Sequence, residues 1–219
     1  MKTTEQPALL KLPRGVLPTL RKRDPRLAWL IERVGPFAMP APTPRTHLEA
    51  LSRSIVYQQL SGKAAATIYG RFRALWDSAD FPSPQQILDC PFERLRGCGF
   101  SGQKVGYLRD LCQKLVDDPL FLAQIETADD EAIISRLTQV RGLGRWSAEM
   151  FLMFHLGRLD VWPAGDLGVR KALQRLYRLA EAPTQKEMPT LGLPYAPYRS
   201  VASWYLWRLL ELPDEIPSL

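Results

Sequence analysis

A glycine turn and a single carboxylate are the two features of this sequence best suited to chemistry on a phosphate-linked substrate. Gly142 and Gly144 form a Gly-x-Gly turn that opens a helix, and Asp166 follows further along the chain, directly after Pro163-Ala164-Gly165. Amides at a helix start have no helical partner and lie at the positive end of the helix dipole, so a phosphate oxygen fits there. An ionised carboxylate can stabilise developing positive charge and can orient or deprotonate water. Together these features predict an enzyme that holds nucleic acid and reacts with it.

The residues around the glycine turn favour a grip on a nucleic-acid backbone. Leu143 is expected to anchor the turn in the core, while Arg141 and Arg145 flank it with positive charge. Contacts of this kind set the position of a strand and read no bases. For a bare Gly-x-Gly, the alternative is a glycine C-cap followed by an ordinary turn. Here the phrase LTQVRGLGRWSA lies between predicted helices at 129–139 and 145–156, which is the helix–hairpin–helix pattern.

The composition limits the classes of protein that this chain can represent. Its 219 residues, 46% of them hydrophobic, allow one large domain or two small ones. The net charge of +6 favours an anionic partner. Three cysteines and two histidines argue against a disulfide framework, a four-thiolate iron–sulfur cluster and a zinc site, so the cysteines are interpreted as apolar fillers. The sequence has no apolar run of membrane-spanning length and no signal-peptide block, which predicts a cytoplasmic protein without a membrane partner.

The pattern of apolar residues predicts an all-α protein of about ten short helices. Residues 1–23 are expected to form an irregular arm, and a helix begins at Asp24 with Pro25 in its first turn. The apolar stripe of this helix is predicted to consist of Leu27, Leu30, Ile31 and Val34. Residues 36–45 contain four prolines and indicate a linker. From Thr46 onward the apolar spacing is helical almost throughout, including a short helix at 120–126, and no segment alternates as a strand does.

Hairpin, helix, Gly/Pro loop and Asp together resemble the helix–hairpin–helix Gly/Pro–Asp superfamily of base-excision DNA glycosylases. The phrases VYQQLSGKAA, GLGRWSAEMFL and DVWPAGDLGVRKA are similar to the 3-methyladenine DNA glycosylase II branch, and the resemblance covers about residues 24–211. It implies two helical subdomains with an interdomain cleft. Residues 46–157 would form a helical barrel that ends in the hairpin. Residues 1–45 would supply an N-terminal arm and a helix packed with residues 158–219, the C-terminal lobe that carries the Asp.

The resemblance implies that Asp166 is the catalytic residue. Breaking an N-glycosidic bond develops positive charge on the deoxyribose, which an ionised carboxylate beside C1′ stabilises. Taken alone, Asp166 is interpreted as a helix N-cap, a role compatible with catalysis. Relatives that also cleave the strand carry a lysine just after the Gly-x-Gly, at the fifth position of the pattern GxGxKTA. Trp146 stands at that position and Lys171 lies elsewhere, so the resemblance implies a monofunctional enzyme with water as the nucleophile.

An alkylated purine can carry a positive charge, and aromatic faces bind such a ring at about 0.5–2 kcal/mol per contact. Met150 falls where a better-known bacterial enzyme of the branch has an aromatic residue, which implies a narrower or shifted substrate range. Trp162 and Trp204 are interpreted as core residues. The base pocket implied by the resemblance consists of Trp146, Tyr198, Met150 and Tyr57.

A base extruded from a duplex leaves a gap that an inserted side chain usually fills. In the family this wedge comes from the loop after the first barrel helix, here residues 57–63. Leu60 is the candidate wedge, and Gln59 is a candidate contact to the neighbouring or opposite base. The alternatives are helix-end packing for Leu60 and simple solvent exposure for Gln59. A second glycine-rich turn, residues 97–104, ends in Lys104, a candidate phosphate contact.

The family often binds a monovalent cation at the hairpin through main-chain carbonyls. The resemblance therefore implies a structural Na⁺ or K⁺ at Thr138, Val140 and Leu143, and no other cofactor. The implied partner is double-stranded DNA with damaged bases. The protein is expected to act as a monomer in the cytoplasm, at the nucleoid.

The function that the resemblance implies is hydrolysis of flipped-out alkylated purines, of the 3-methyladenine type, to leave an abasic site. Two alternatives stay open. A bifunctional glycosylase/lyase acting on oxidised bases would form a covalent adduct with DNA. A non-catalytic helix–hairpin–helix protein that only holds DNA would explain Gly142, Gly144 and the basic charge, but it leaves Asp166 and the aromatic residues unexplained.

Overall fold

The computed structural model describes residues 8–213. This range contains twelve α-helices and one 3₁₀-helix. It contains no β-strand, and its one isolated bridge pairs Leu9 with Pro40 in antiparallel fashion. The predicted all-α class is confirmed. In the same range no helix has the length and apolar character needed to cross a bilayer. The ends of the predicted arm and lobe, residues 1–7 and 214–219, lie outside the described residues.

The helices in chain order are α1 (Val16–Arg23), α2 (Pro25–Val34), α3 (His47–Tyr57), α4 (Gly62–Arg73), α5 (Pro84–Asp89), α6 (Phe92–Gly97), α7 (Gly102–Asp117), α8 (Asp130–Leu137), α9 (Arg145–Phe154), α10 (Leu167–Tyr177), α11 (Met188–Leu191), the 3₁₀-helix (Leu193–Tyr195) and α12 (Arg199–Leu209).

The chain folds as two compact units. The middle unit is Thr43–Phe151, and the terminal unit combines the residues up to Pro42 with those from Leu152 onward. The division between them falls inside α9, so this helix contributes residues to both.

The terminal unit is built around α2, α10 and α12, which pack against one another. Of the predicted apolar stripe of α2, Leu27, Leu30 and Ile31 are fully buried and Val34 is partly buried. Full burial of one such side chain stabilises the fold by about 1.5–3 kcal/mol. Helix α12 is buried on most of its circumference, since eight of its eleven residues are buried.

The prediction of an irregular arm over residues 1–23 is wrong for its last part, which forms α1. Val16 and Leu20 are four residues apart, so they lie on one helix face, and both are buried in the core of the terminal unit. Pro18 stands in the first turn, where a helix needs no N–H from it. The proline and the basic residues of this segment obscured that apolar pair.

The predicted helix at residues 120–126 is also wrong, because this segment forms a series of turns. The Asp118 carboxylate accepts the Leu120 amide at 2.9 Å and so closes the first turn. The Arg136 guanidinium donates to the carbonyls of Phe121 and Ala123, each at 3.2 Å. These side-chain hydrogen bonds satisfy backbone groups that would bond to one another if the segment were a helix.

Side-chain caps define where the helices around the predicted sites begin. An N-cap of this kind stabilises a helix by about 0.5–2 kcal/mol. In the middle unit the capping residues of α3, α4, α7 and α8 are Thr46, Ser61, Ser101 and Asp129.

Candidate active site and nucleic-acid interface

Asp166 combines the cap predicted for it with a second hydrogen bond that the sequence did not suggest. It is the N-cap of α10, and its Oδ1 accepts the backbone N–H of Val169 at 2.8 Å. The same oxygen accepts the indole N–H of Trp207, on α12, at 3.0 Å. Asp166 is largely buried, with 9% of its surface exposed. Two N–H donors on one oxygen of a carboxylate hold its plane in one orientation.

Gly168 leaves room for the pair formed by Asp166 and Trp207. A Cβ placed on Gly168 would lie 3.0 Å from Oδ1 of Asp166 and 3.1 Å from Cδ1 of Trp207. Glycine inside a helix usually costs about 0.5–1 kcal/mol relative to alanine. Here its small size allows the carboxylate and the indole to approach each other across α10.

An aromatic side chain of α9 extends this cluster. The ring of Phe154 stacks on that of Trp207, with 6.0 Å between centroids and an interplanar angle of 23°. Phe154 is nevertheless 41% exposed. A stacked pair of which one ring is accessible gives a flat apolar surface next to a carboxylate.

Tyr198 precedes α12 and packs against the core of the terminal unit, and it is only partly buried. The backbone around it is held by the following two residues. The Arg199 guanidinium binds both oxygens of Asp160, each at 2.8 Å. The Ser200 hydroxyl donates to the Arg158 carbonyl at 2.7 Å and accepts the Val161 amide at 2.9 Å. The start of α12 is thereby bound to the segment that leads towards Asp166.

Trp162 and Trp204 are core residues, as predicted. Trp162 is 8% exposed and donates its indole N–H to the Met188 carbonyl at 2.7 Å. Trp204 is 7% exposed and makes T-shaped contacts with Phe37 and Tyr205, each at 4.9 Å between centroids.

The turn of the hairpin requires glycine at Gly142. The backbone φ there is +83°, in the left-handed region that favours glycine. An added Cβ would lie 2.1 Å from Cδ2 of Tyr107, so the turn rests directly on that ring. Leu143 is buried, as predicted, and its amide donates to the Val140 carbonyl at 3.1 Å.

The fold does not require glycine at position 144 in the same way. Its backbone is outside the left-handed region, and a Cβ placed on it would meet nothing within 4 Å. The residue lies just before α9, where helix amides have no helical partner. The absence of a side chain keeps these exposed amides open to a close ligand.

The two arginines of the hairpin are held by carboxylates. Arg141 donates two hydrogen bonds to the Asp110 carboxylate, from its backbone N–H at 2.8 Å and from its Nε–H at 3.1 Å. Arg145 donates through Nη1 to Glu131 at 2.9 Å, and through Nε to the buried Glu149 at 3.0 Å. The hydrogen bond from Arg145 lowers the pKa of Glu131. Both guanidiniums are therefore oriented at the turn, and a phosphate that binds them competes with these carboxylates.

The carbonyls predicted to hold a cation belong to the turn between α8 and α9. Thr138 is the C-cap of α8, at the end of a helix, where carbonyl groups have no helical partner. The Val140 carbonyl already accepts the Leu143 amide, which leaves its second lone pair for another contact. Carbonyl oxygens are ligands that hard cations accept. A structural Na⁺ or K⁺ held by Thr138, Val140 and Leu143 stays a prediction.

The predicted wedge loop follows α3. Gln59 has a left-handed backbone, with φ +55°, and Leu60 is 39% exposed. The Lys104 ammonium, predicted as a phosphate contact, instead donates to the carbonyls of Val56 and Gln58, each at 2.7 Å.

The remaining pocket candidates also belong to the middle unit. Trp146 and Met150 are four residues apart on α9 and so lie on one side of the helix, with Trp146 47% exposed. Tyr57 carries the guanidinium of Arg53 over one ring face, 3.8 Å from the centroid. A cation already occupies that face, so the opposite face is the one suited to a charged base.

Sequence reasoning missed Trp207, Gly168 and Phe154. Trp207 lies in the apolar run SWYLWRLL, where an aromatic residue is expected in any buried helix. Its 41-residue separation from Asp166 exceeds any local spacing rule. The one available signal was Gly168, the second residue of α10. Glycine has a low helix propensity, so its presence there indicates a need for space.

Comparison with known proteins identifies the family of the chain. Residues 52–194 match the family described as HhH-GPD superfamily base excision DNA repair protein. The chain is 39% identical over 167 residues to DNA-3-methyladenine glycosylase 1 of Schizosaccharomyces pombe, an alignment that covers 76% of this chain and 73% of the relative.

Two solved structures are similar over nearly the whole chain. The 3-methyladenine DNA glycosylase of S. pombe in complex with abasic DNA has a TM-score of 0.79 at 34% identity, covering 93% of this chain and 100% of that one. A DNA-3-methyladenine glycosidase from Bacillus halodurans has a TM-score of 0.79 at 37% identity, covering 92% and 91%.

Proposed function

Because the chain belongs to the HhH-GPD superfamily of base excision DNA repair proteins, we propose that it is a monofunctional DNA glycosylase. Its substrates are alkylated purines of the 3-methyladenine type, the class named for its relatives in S. pombe and B. halodurans. The observation that carries the proposal is the carboxylate of Asp166, held on one oxygen by two N–H donors beside an aromatic pair.

In the proposed reaction the bond between C1′ and the base nitrogen breaks, and its electron pair leaves with the base. A base that was cationic departs neutral, and the positive charge develops on the deoxyribose. The Asp166 carboxylate stabilises that charge and orients the water whose oxygen bonds to C1′. The proton released by water passes to the carboxylate or to solvent, and an abasic site remains.

The aromatic residues provide the proposed binding surface for the base. Trp146, Tyr57 and Tyr198 offer faces that attract a cationic ring, and Met150 lies on the same side of α9 as Trp146. A neutral base gains less from such faces. Aromatic faces of this kind therefore favour cationic 3-methylated purines over uncharged lesions.

The hairpin provides the proposed contact with the DNA backbone. Amides at Gly144 and Arg145 suit a phosphate oxygen, and the guanidiniums of Arg141 and Arg145 add charge. The partner is double-stranded DNA, bound by one copy of the chain. The predicted location at the nucleoid follows from that substrate.

The proposal of a monofunctional enzyme rests on Trp146, which occupies the place where strand-cleaving relatives carry a lysine. An indole cannot form the Schiff base that β-elimination requires. Lys171 is exposed on α10, and the proposal gives it no role in catalysis.

The test is an assay on duplexes that each contain one lesion: 3-methyladenine, hypoxanthine or 8-oxoguanine. We expect release of free 3-methyladenine, a strand that stays intact until alkali is added, and no adduct after borohydride treatment. Borohydride trapping together with release of 8-oxoguanine would favour the bifunctional alternative. Tight binding without release of any base would favour a protein that only holds DNA.

A further inference from the structure

The ammonium of Lys104 holds the end of α3 at two points. It donates to the carbonyls of Val56 and Gln58, each at 2.7 Å. Carbonyls at a helix C-terminus have no helical partner, and a cation there is favourable. Lys104 itself stands in the first turn of α7, where the dipole of its own helix disfavours a cation. Partial burial lowers its pKa as well. The two hydrogen bonds to the end of α3 oppose both of these unfavourable effects.

The loop that this lysine holds has an unusual backbone. Gln59 is left-handed, with φ +55°, a conformation that costs a residue with a side chain about 1–2 kcal/mol. The next residue, Leu60, is 39% exposed although it is apolar. Its amide makes a long hydrogen bond of 3.4 Å with the Tyr57 carbonyl. Such a conformation persists when the surrounding structure over-determines it.

The same loop is joined to the hairpin by one side chain. The amide of Gln58 donates from Nε2 to the carbonyl of Gly142 at 2.8 Å. Gly142 is fixed in turn by its left-handed backbone and by the ring of Tyr107 beneath it. The loop and the hairpin are thus connected by a direct hydrogen bond within the middle unit.

We propose that Lys104 and Gln58 are positioning residues for base extrusion: they hold Leu60 at a set distance from the hairpin, so that a strand bound by the hairpin meets a pre-placed wedge. The proposal rests on the proposed function and on the assignment of Leu60 as the wedge. It adds two residues, neither of which contacts the base, that determine where the wedge stands.

The test compares Lys104→Met and Gln58→Met, which remove the donors and keep the length of each side chain. Lys114→Met, on the same helix, is the matched control. The first readout uses a duplex with 2-aminopurine beside an abasic-site analogue, whose fluorescence rises when the base unstacks. We expect both variants to lose most of this rise, and we expect the same of Leu60→Ala. Affinity for undamaged duplex should stay within about twofold of the wild type for Gln58→Met and within about twofold of Lys114→Met for Lys104→Met, because both lysine variants lose one charge.

The second readout is a double-mutant cycle on the single-turnover release of 3-methyladenine. Lys104→Met should slow release about 10- to 100-fold in the wild-type background. It should add little in the Leu60→Ala background, because the wedge it positions is gone. Equal slowing in both backgrounds, or an unchanged fluorescence rise, would overturn the proposal. A wild-type protein that unstacks 2-aminopurine and releases no base would overturn the proposed function, and loss of that unstacking in Lys104→Met and Gln58→Met would still support the positioning role.

Discussion

The indole Nε1 of Trp207 lies 3.0 Å from Oδ1 of Asp166 and joins α12 to the carboxylate that begins α10. The Val169 amide binds the same oxygen at 2.8 Å. The cap fixes the carboxylate relative to its own helix, and the indole fixes it relative to a second helix. A group that must face a reacting sugar benefits from both constraints, since catalytic groups act best when their orientation is set in advance.

Removing the indole N–H should slow catalysis and leave DNA binding intact. Trp207→Phe keeps an aromatic ring beside Phe154 and deletes the donor to Asp166. A hydrogen bond to a charged group contributes about 1.5–3 kcal/mol, so we expect single-turnover base release to fall about 10- to 100-fold. The dissociation constant for an abasic duplex should change little. Trp204→Phe, a core substitution on the same helix, controls for loss of packing. Equal rates in Trp207→Phe and the wild type would show that the contact has no positioning role.

Adding one methyl group at Gly168 should disturb the same pair. Gly168→Ala places a Cβ 3.0 Å from Asp166 Oδ1, tighter than ordinary contact. Helix propensity favours alanine by up to about 1 kcal/mol, which offsets the cost of crowding to the free energy of unfolding. The positions of Asp166 and Trp207 are still disturbed. We expect a roughly tenfold slower base release with a nearly unchanged free energy of unfolding.

The matched control for that substitution is Gly106→Ala on α7, where a Cβ would meet nothing within 4 Å. This variant should raise the free energy of unfolding by about 0.5–1 kcal/mol and keep full activity. Wild-type activity in Gly168→Ala would contradict the role given to the gap.

The two glycines of the hairpin should respond differently to alanine. Gly142→Ala should destabilise the fold, because its Cβ would overlap the Tyr107 ring and its φ is +83°. Gly144→Ala should keep the melting temperature and weaken binding to undamaged duplex, because its Cβ meets only the incoming strand. Calorimetry and fluorescence anisotropy separate the two effects. Full DNA affinity in Gly144→Ala would remove this residue from the interface.

Releasing Arg145 from one carboxylate should strengthen binding to DNA. Glu131→Gln removes an ion pair in which Glu131 is 66% exposed, and we expect affinity for duplex to rise about two- to fivefold at low salt. Glu93→Gln, which deletes the same charge on α6, controls for net charge. An affinity gain equal in both variants would argue against Arg145 as a phosphate contact.

The pH dependence of this effect follows from the lowered pKa of Glu131. The pair stabilises the fold above the ordinary carboxyl pKa, and this contribution is lost as the pH falls through the lowered pKa. An exposed pair of this kind contributes no more than about 1 kcal/mol. The difference in DNA affinity between Glu131→Gln and the wild type should disappear over the same acidic range.

The sequence predicts well the features that depend on neighbours along the chain. The cap at Asp166, the stripe of α2 and the turn at Gly142 all follow from spacing and from the backbone freedom of glycine. Helix α1 was missed because its proline and basic residues concealed a single buried pair, Val16 and Leu20.

Contacts between distant segments required the fold. The bond from Trp207 to Asp166, and those from Lys104 to the end of α3, join residues with no periodic relation in the sequence. Lys104 is an example of a contact that the sequence alone does not predict. A lysine after a glycine-rich turn indicates a phosphate contact, but the packing of α3 against α7 brings it to two carbonyls.

The most direct test of the account is single-turnover release of 3-methyladenine by Asp166→Asn. The substitution keeps an oxygen that accepts from Val169 and Trp207 and removes the negative charge, so the fold and DNA affinity should be retained. We predict a loss of base release of at least about 100-fold. Wild-type rates of release from the asparagine variant would contradict the claim that this carboxylate carries the reaction.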